Sequence, residues 1–206
     1  MNPPERSVPP DQPGYFDAMF ERSSDPWGFD TRWYEQRKRA LTLACLPGAR
    51  YRSGFEPGCA NGALSADLAT RCDRLLVSDG VDKAVALARA RLGNMAHVEV
   101  RKAWLPAEWP EDRFDLIVLS EFLFYMQPDD VHAIAGKALA TLLPGGVILA
   151  CHWRKPIADC VLTGDAAHDI LHQSLSMPRL CYVSEPDLRI DVWCTSPSVA
   201  EAEGIH

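Results

Sequence analysis

Between residues 50 and 155 short apolar runs alternate with stretches whose apolar positions recur at helical spacing. YRSGFEP rises to a glycine turn, and NGALSADLATRC follows with Leu64 and Leu68 one turn apart, as on a helix face. RLLVSD is a short apolar strand ending on Asp79. VDKAVALARARLG is alanine-rich, ends in arginines and stops at Gly93, which is helix punctuation. HVEVRKA alternates, whereas FDLIVLSE is apolar throughout, as a strand buried on both faces should be. PDDVHAIAGKALATLLPGG opens on Pro128 and acids and closes on Pro-Gly-Gly, predicting a helix up to that stop. VILACHW is another buried strand. This order predicts a parallel sheet with helices on both faces, an α/β Rossmann-like architecture.

The last part changes character. DAAHDILHQSL has a helical pattern, and RLCYVSE and LRIDVWC, separated only by Pro186-Asp187, predict an antiparallel hairpin. A mainly parallel seven-stranded sheet closed by such a hairpin is the ending expected of a class I methyltransferase and is unusual for an NAD-binding domain. In front of the sheet, DPWGFDTRWYEQRKRALTLAC predicts a helix beginning near Asp30 or Thr31, with Trp27, Phe29, Trp33 and Tyr34 gathered at its start. The proline-rich head, 1–14, is expected to be a disordered lead-in, 15–195 a single domain with a helical lid over 15–46, and 196–206 a flexible tail.

Composition narrows the function classes. The chain of 206 residues carries 28 Asp and Glu against 21 Lys and Arg, a formal charge of −7. No basic stripe interrupts this balance, so nucleic acid is not an expected partner. The proline-rich head lacks the apolar run of a secretory signal and no segment has ~18 uninterrupted apolar residues, so no membrane partner is expected. The seven cysteines are odd in number and form no C-x-x-C pair, which predicts reduced thiols in a cytoplasmic protein, and no metal is expected. A monomer or a homodimer fits equally.

The glycine turn, GFEPGCANG, keeps Glu56, Gly58 and Gly62 but places Ala60 and Asn61 where a dinucleotide loop wants glycine. A pyrophosphate must lie directly on such a turn, whereas the amino-acid tail of S-adenosylmethionine tolerates a looser, more polar one. Asp79 ends the next strand about 20 residues on, where an acid can accept both ribose hydroxyls. KAWLP, through Ala103, Trp104 and Leu105, is expected to border the adenine.

EPGCANG, VSDGVDKAVALARAR, WPEDRFDLIVLSEFLFYM, LLPGGVILACHWR and LTGDAAHDIL together resemble class I S-adenosylmethionine-dependent methyltransferases. With DPWGFDTRWYEQRKR in front, the chain is similar over roughly residues 15 to 195 to the nodulation protein S family. That resemblance implies N-methylation of a free amine on a deacetylated chitooligosaccharide. It also places Glu56, Gly58 and Gly62 on the donor loop, Asp79 at the ribose, and Trp33 and Tyr34 on a helix folded over the donor. Ala60 and Asn61 depart from the common pattern on that loop. So does Ala103, where many methyltransferases carry an acid to the adenine amino group.

An ammonium acceptor has no lone pair, so a proton must leave before attack. Glu121, at the end of FDLIVLS, is a candidate to bind and deprotonate it while facing the donor. His152, at the end of VILACHW, is a second candidate and His168 a third, with Asp165 beside it and His172 expected at the surface. Tyr125 and Trp153 are candidates to line the acceptor, and Arg154 and Lys155 to touch its hydroxyls. The expected acceptor is a small molecule, an aminosugar first. An oxygen acceptor on a sugar or natural product, or a donor-binding protein without catalysis, are the competing readings.

Overall fold

The parallel order of the apolar runs is set by right-handed crossovers that each bury a helix against the sheet. The computed structural model describes residues 14–205, so the lead-in expected over 1–14 lies almost entirely outside the described residues. The strands are β1 (Gly54–Pro57), β2 (Leu75–Asp79), β3 (Val98–Lys102), β4 (Phe114–Ser120), β5 (Leu142–Trp153), β6 (Arg179–Ser184) and β7 (Leu188–Cys194). They form one sheet in the order β3-β2-β1-β4-β5-β7-β6. All neighbours pair in parallel except β7, which runs antiparallel to both β5 and β6. This is the class I methyltransferase sheet, with the hairpin that the Pro186-Asp187 spacing predicted.

The helices are α1 (Asp17–Arg22), α2 (Trp33–Ala44), α3 (Ala63–Ala69), α4 (Asp82–Leu92), α5 (Pro128–Thr141), α6 (Gly164–Leu175) and α7 (Val199–Ala202). Two apolar cores lie on the two faces of the sheet, one around Leu68, Val77, Leu116 and Val192, the other around Phe55, Ile117, Ile134 and Trp193. None of these helices is long and apolar enough to cross a membrane.

Four local differences from the sequence reading have physical causes. Helix α5 ends at Thr141, not at the Pro-Gly-Gly stop, because Leu142 already pairs with Phe114 as β5 begins. Pro144 and Gly145 then sit in an irregularity of that edge, where the pairing steps from Leu142 to Val147. Helix α2 starts at Trp33 rather than Asp30, since the Asp25 carboxylate accepts the amides of Phe29 (2.8 Å) and Asp30 (3.1 Å) and holds them in a turn. Helix α1, six residues long, is too short to show a period of its own within the lid. In the tail expected to be flexible, Ser198 and Glu201 form a capping box that starts α7.

The lid is tied down at Asp30 and at Arg37. Arg91 on α4 forks the Asp30 carboxylate at 2.6 and 2.9 Å, and Arg37 on α2 forks Glu185 beside the hairpin at 2.7 Å. Phe16, Phe20 and Trp27 pack over Val81 and Ala84, while Phe16 also meets the Tyr125 ring edge-on at 4.9 Å. The lid therefore arches from α4 to the far side of β4.

Candidate active site

Open parallel sheets expose their ligand crevice at the carboxyl ends of the strands, where the order reverses. Here the reversal falls between β1 and β4, and a cavity of about 480 Å³ lies there under the lid. Its size is that of a site for one drug-sized ligand. The β1 loop contributes Gly58 and Ala60, and β2 contributes Asp79, Gly80 and Val81. Ala103, Trp104 and Leu105 follow β3, and Glu121, Phe122, Phe124 and Tyr125 follow β4. Trp153 ends β5, and Phe16, Phe20, Trp27, Tyr34 and Lys38 come from the lid.

The glycine turn is built backbone first. Gly58 has φ +70°, and a Cβ there would stand 3.2 Å from the Phe122 side chain, so the position needs glycine twice over. Ala60 also takes a left-handed backbone, φ +49°, where glycine would be unstrained. Its amide donates to Asp79 Oδ2 at 2.9 Å, while the Val81 amide donates to Oδ1 at 3.0 Å. Asp79 thus fastens the loop to the end of β2 and still borders the cavity. Burial raises its pKa, against those amide bonds. The Asn61 side chain, one residue ahead of the Gly62 N-cap, accepts the Ala63 amide at 3.2 Å in a local turn, which explains a polar residue in a glycine's place.

Gly62 is not a cavity residue. Its φ of +78° and the Ala88 backbone, 3.3 Å from where a Cβ would be, make it the contact that lets α3 lie close on α4. Trp33 is likewise misplaced by the sequence reading. It is 72% exposed and does not line the cavity, because the first turn of α2 directs its neighbour Tyr34 inward. Tyr34 meets Trp153 edge-on at 5.5 Å and its hydroxyl donates to the Asp187 carbonyl at 3.4 Å.

A smaller chamber opens beside the main cavity and shares Glu35, Lys38, Gly58, Ala60 and Glu121 with it. Glu56 reaches this chamber rather than the main cavity. Its Oε2 is buried without a hydrogen-bond partner, and burial pushes its pKa to about 8. Lys38, which the sequence reading missed, stands between two acids. Its Nζ is 2.9 Å from Glu121 Oε1 and 2.8 Å from Glu35 Oε2. Only the helical spacing of Glu35 and Lys38 hinted at this pairing. Glu121 itself holds φ +59°, its Oε2 accepts the Trp153 amide at 3.2 Å, and burial raises its pKa against the pull of Lys38.

The two histidines are brought together, but away from the cavity. His152 and His168 are both fully buried, and His152 Nδ1 lies 3.0 Å from His168 Nε2. Neither lines the cavity, since the strand alternation that buries Cys151 on one side turns His152 into the core under α6. The expectation of direct catalysis by His152 or His168 is therefore corrected. Asp165 is taken by Arg154 (3.0 Å) and Arg189 (3.5 Å), and Lys155 pairs with Asp187 at 3.6 Å, so these groups brace the hairpin. His172, exposed as expected, accepts the Trp193 indole N–H at 3.0 Å. Among the described residues no cluster of His, Cys, Asp and Glu is arranged to hold a metal, and all seven cysteines are free thiols.

An adenosyl donor fits this set. Trp104 lies against Gly80 as a flat apolar wall, Asp79 offers carboxylate acceptors, and the orphaned Glu56 oxygen beside the glycine turn suits an ammonium group.

The family model for nodulation protein S (NodS) matches residues 19–161. Nodulation protein S of Rhizobium tropici is 33% identical over 126 residues, 60% of this chain and 53% of that protein, so the match spans about half of the relative's length. A solved structure from Pseudomonas syringae, assigned by inference as a methyltransferase, is 53% identical with a TM-score of 0.72, covering 79% of this chain and 99% of that one. The N-methyltransferase NodS from Bradyrhizobium japonicum WM9, solved in complex with S-adenosyl-l-homocysteine, superposes with a TM-score of 0.77 at 24% identity, over 88% and 98% of the two chains, and so shares the fold. With the family model matching residues 19–161, well over half of the chain, the protein belongs to the nodulation protein S family.

Proposed function

We propose that this chain is an S-adenosylmethionine-dependent methyltransferase that methylates an amino group of a small molecule, an aminosugar or short oligosaccharide being the acceptor class. The observation that carries the reading is the convergence of Asp79, Glu121 and the Gly58–Ala60 turn on one cavity at the sheet's switch point. The 33% identity to a nodulation protein S and the donor product bound in the Bradyrhizobium enzyme support the same assignment.

When bound, S-adenosylmethionine supplies a methyl carbon already activated by a sulfonium, so the protein's work is alignment and exclusion of water. Asp79 holds the ribose, and Ala103, Trp104 and Leu105 enclose the adenine. Tyr34, Tyr125 and Trp153 surround the acceptor end with ring faces, which attract a cationic centre and keep water out. Glu121 orients the acceptor amine and receives its proton. Lys38, whose ammonium favours the charged carboxylate against burial, tunes its readiness.

Isothermal titration of S-adenosylmethionine, S-adenosylhomocysteine and NAD against the wild type and Asp79→Ala tests the donor. Binding of the first two alone, lost in the variant, is expected; failure of both to bind the wild type would end the reading. Mass-spectrometric screening of glucosamine oligomers for a single methyl gain then tests the acceptor.

A further inference from the structure

Behind the cavity wall a line of buried polar groups runs from the 3-10 turn Leu123–Tyr125 to β7. The Leu123 amide donates to His152 Nε2 at 3.3 Å, His152 Nδ1 lies 3.0 Å from His168 Nε2, and His168 Nδ1 lies 2.6 Å from Asp191 Oδ2. His152, His168 and Asp191 are fully buried. One arrangement of protons satisfies every contact. A carboxylate only accepts, so His168 carries its proton on Nδ1 and presents a bare Nε2. His152 must then donate from Nδ1, which leaves its Nε2 bare to accept from Leu123. Arg189 Nε at 2.7 Å and Arg179 at 3.0 Å keep Asp191 ionised and so fix the start of the chain.

The far end of this chain matters because of what adjoins it. Glu121 stands two residues before Leu123 with a left-handed backbone, a conformation that persists only where the surroundings over-determine it. Three consecutive residues of β5 do so. The Cys151 carbonyl accepts the Glu121 amide at 3.0 Å, His152 accepts the Leu123 amide, and the Trp153 amide donates to Glu121 Oε2. The first and third hold Glu121 itself. His152 supplies the hold on the chain leaving it, and thereby on Phe122, Phe124 and Tyr125 at the cavity wall.

We propose that His152 is a positioning residue of the methyl-transfer site: its Nε2 anchors the Leu123 amide and so holds Glu121 and the wall after it in register, with His168 and Asp191 setting its tautomer. The proposal rests on the reading of the cavity as a donor site. Protonation of His152 would turn Nε2 into a donor facing the Leu123 N–H and break the anchor. Burial, His168 on α6, Lys38 on α2 and Arg189 on β7 all oppose that charge, and the Phe124 ring stands beside it without compensating charge. For His168, burial and Arg189 oppose protonation, while Asp191 and Asp165 favour it. The neutral relay is therefore the state at neutral pH, and the anchor fails only in acid.

The test compares wild type, His152→Phe and His152→Gln by calorimetry with S-adenosylhomocysteine and by amide exchange at Leu123. Loss of one buried hydrogen bond predicts about tenfold weaker binding and about tenfold faster exchange in His152→Phe. His152→Gln, whose amide oxygen can still accept from Leu123, should recover most of both. In the wild type, affinity should fall as pH is lowered, in step with the His152 15N imidazole titration, whereas His152→Gln should lack that step. Wild-type affinity that stays flat through the observed His152 imidazole titration overturns the proposal, as does His152→Phe with unchanged exchange and affinity but a lower Tm. If the wild type does not bind the probe, the donor reading fails, and the Leu123 exchange rates alone decide the anchor. If His152→Phe does not fold, the wild-type and His152→Gln pH profiles decide it.

Discussion

Lys38 Nζ stands 2.9 Å from Glu121 Oε1, joining the lid helix α2 to the residue after β4. Both groups are withdrawn from bulk water, and Glu35 approaches the same ammonium from one helical turn away. Removing the cation leaves two acids facing each other. Lys38→Met should therefore cost about 3–5 kcal/mol, the range for breaking a buried ion pair from one side. Adding Glu121→Gln should return part of that loss, because the uncompensated charge goes with it. Urea unfolding of the two single variants and the double variant measures this coupling.

Asp79→Asn isolates charge from shape at the proposed ribose site. One side-chain oxygen can still accept an amide, but the other position becomes a donor facing either the Ala60 or the Val81 N–H. Affinity for S-adenosylhomocysteine should drop by at least ~100-fold, about 2.7 kcal/mol, through loss of ribose contacts and loosening of the loop. Calorimetry gives the number, and retention of tight binding would remove Asp79 from the site.

Glu56 makes stability depend on pH between about 4.5 and 8. Its folded pKa, about 8, lies above the ordinary 4.5, so between those values the native state keeps a proton that the unfolded chain has released. The resulting stabilisation is complete below the unfolded pKa and is lost as pH rises through about 8. Glu56→Gln cannot ionise and should outlast the wild type at pH 9 by up to ~5 kcal/mol, with the gap closing toward pH 5. Denaturant melts at the two pH values check the sign.

Ala60 occupies a left-handed conformation that costs an L-residue roughly 1–2 kcal/mol. Ala60→Gly relieves it but adds freedom to the unfolded chain, so the net gain should be at most about 1 kcal/mol. A Tm rise of a few degrees is expected. A lower Tm would mean that the methyl's packing against the Phe20 and Val81 cluster outweighs the strain.

The fold was legible because its signals are local. Apolar runs such as FDLIVLS and the two-residue spacing before LRIDVWC depend only on neighbours in the chain, and they placed the strands and the hairpin. Asp79 and the Ala103–Leu105 segment were legible for the same reason, since strand ends in such a sheet face the crevice. Helix α1 is too short to carry a period, and the Pro-Gly-Gly stop misled because the irregular start of β5 absorbed it.

Local sequence fixes the order of elements and the positions where chemistry can stand: the glycine turn, the acid after β2 and the acid after β4. Which way each side chain turns, and what it meets, is settled by folding. One residue's rotation around α2 sends Trp33 to solvent and Tyr34 into the cavity. The strand alternation of β5 puts His152 behind the wall, beside a histidine 16 residues away. Lys38 finds Glu121 across 83 residues of chain. Such pairings arise from packing of distant segments, and a buried charge is committed to its partner only when folding removes the water that would otherwise satisfy both.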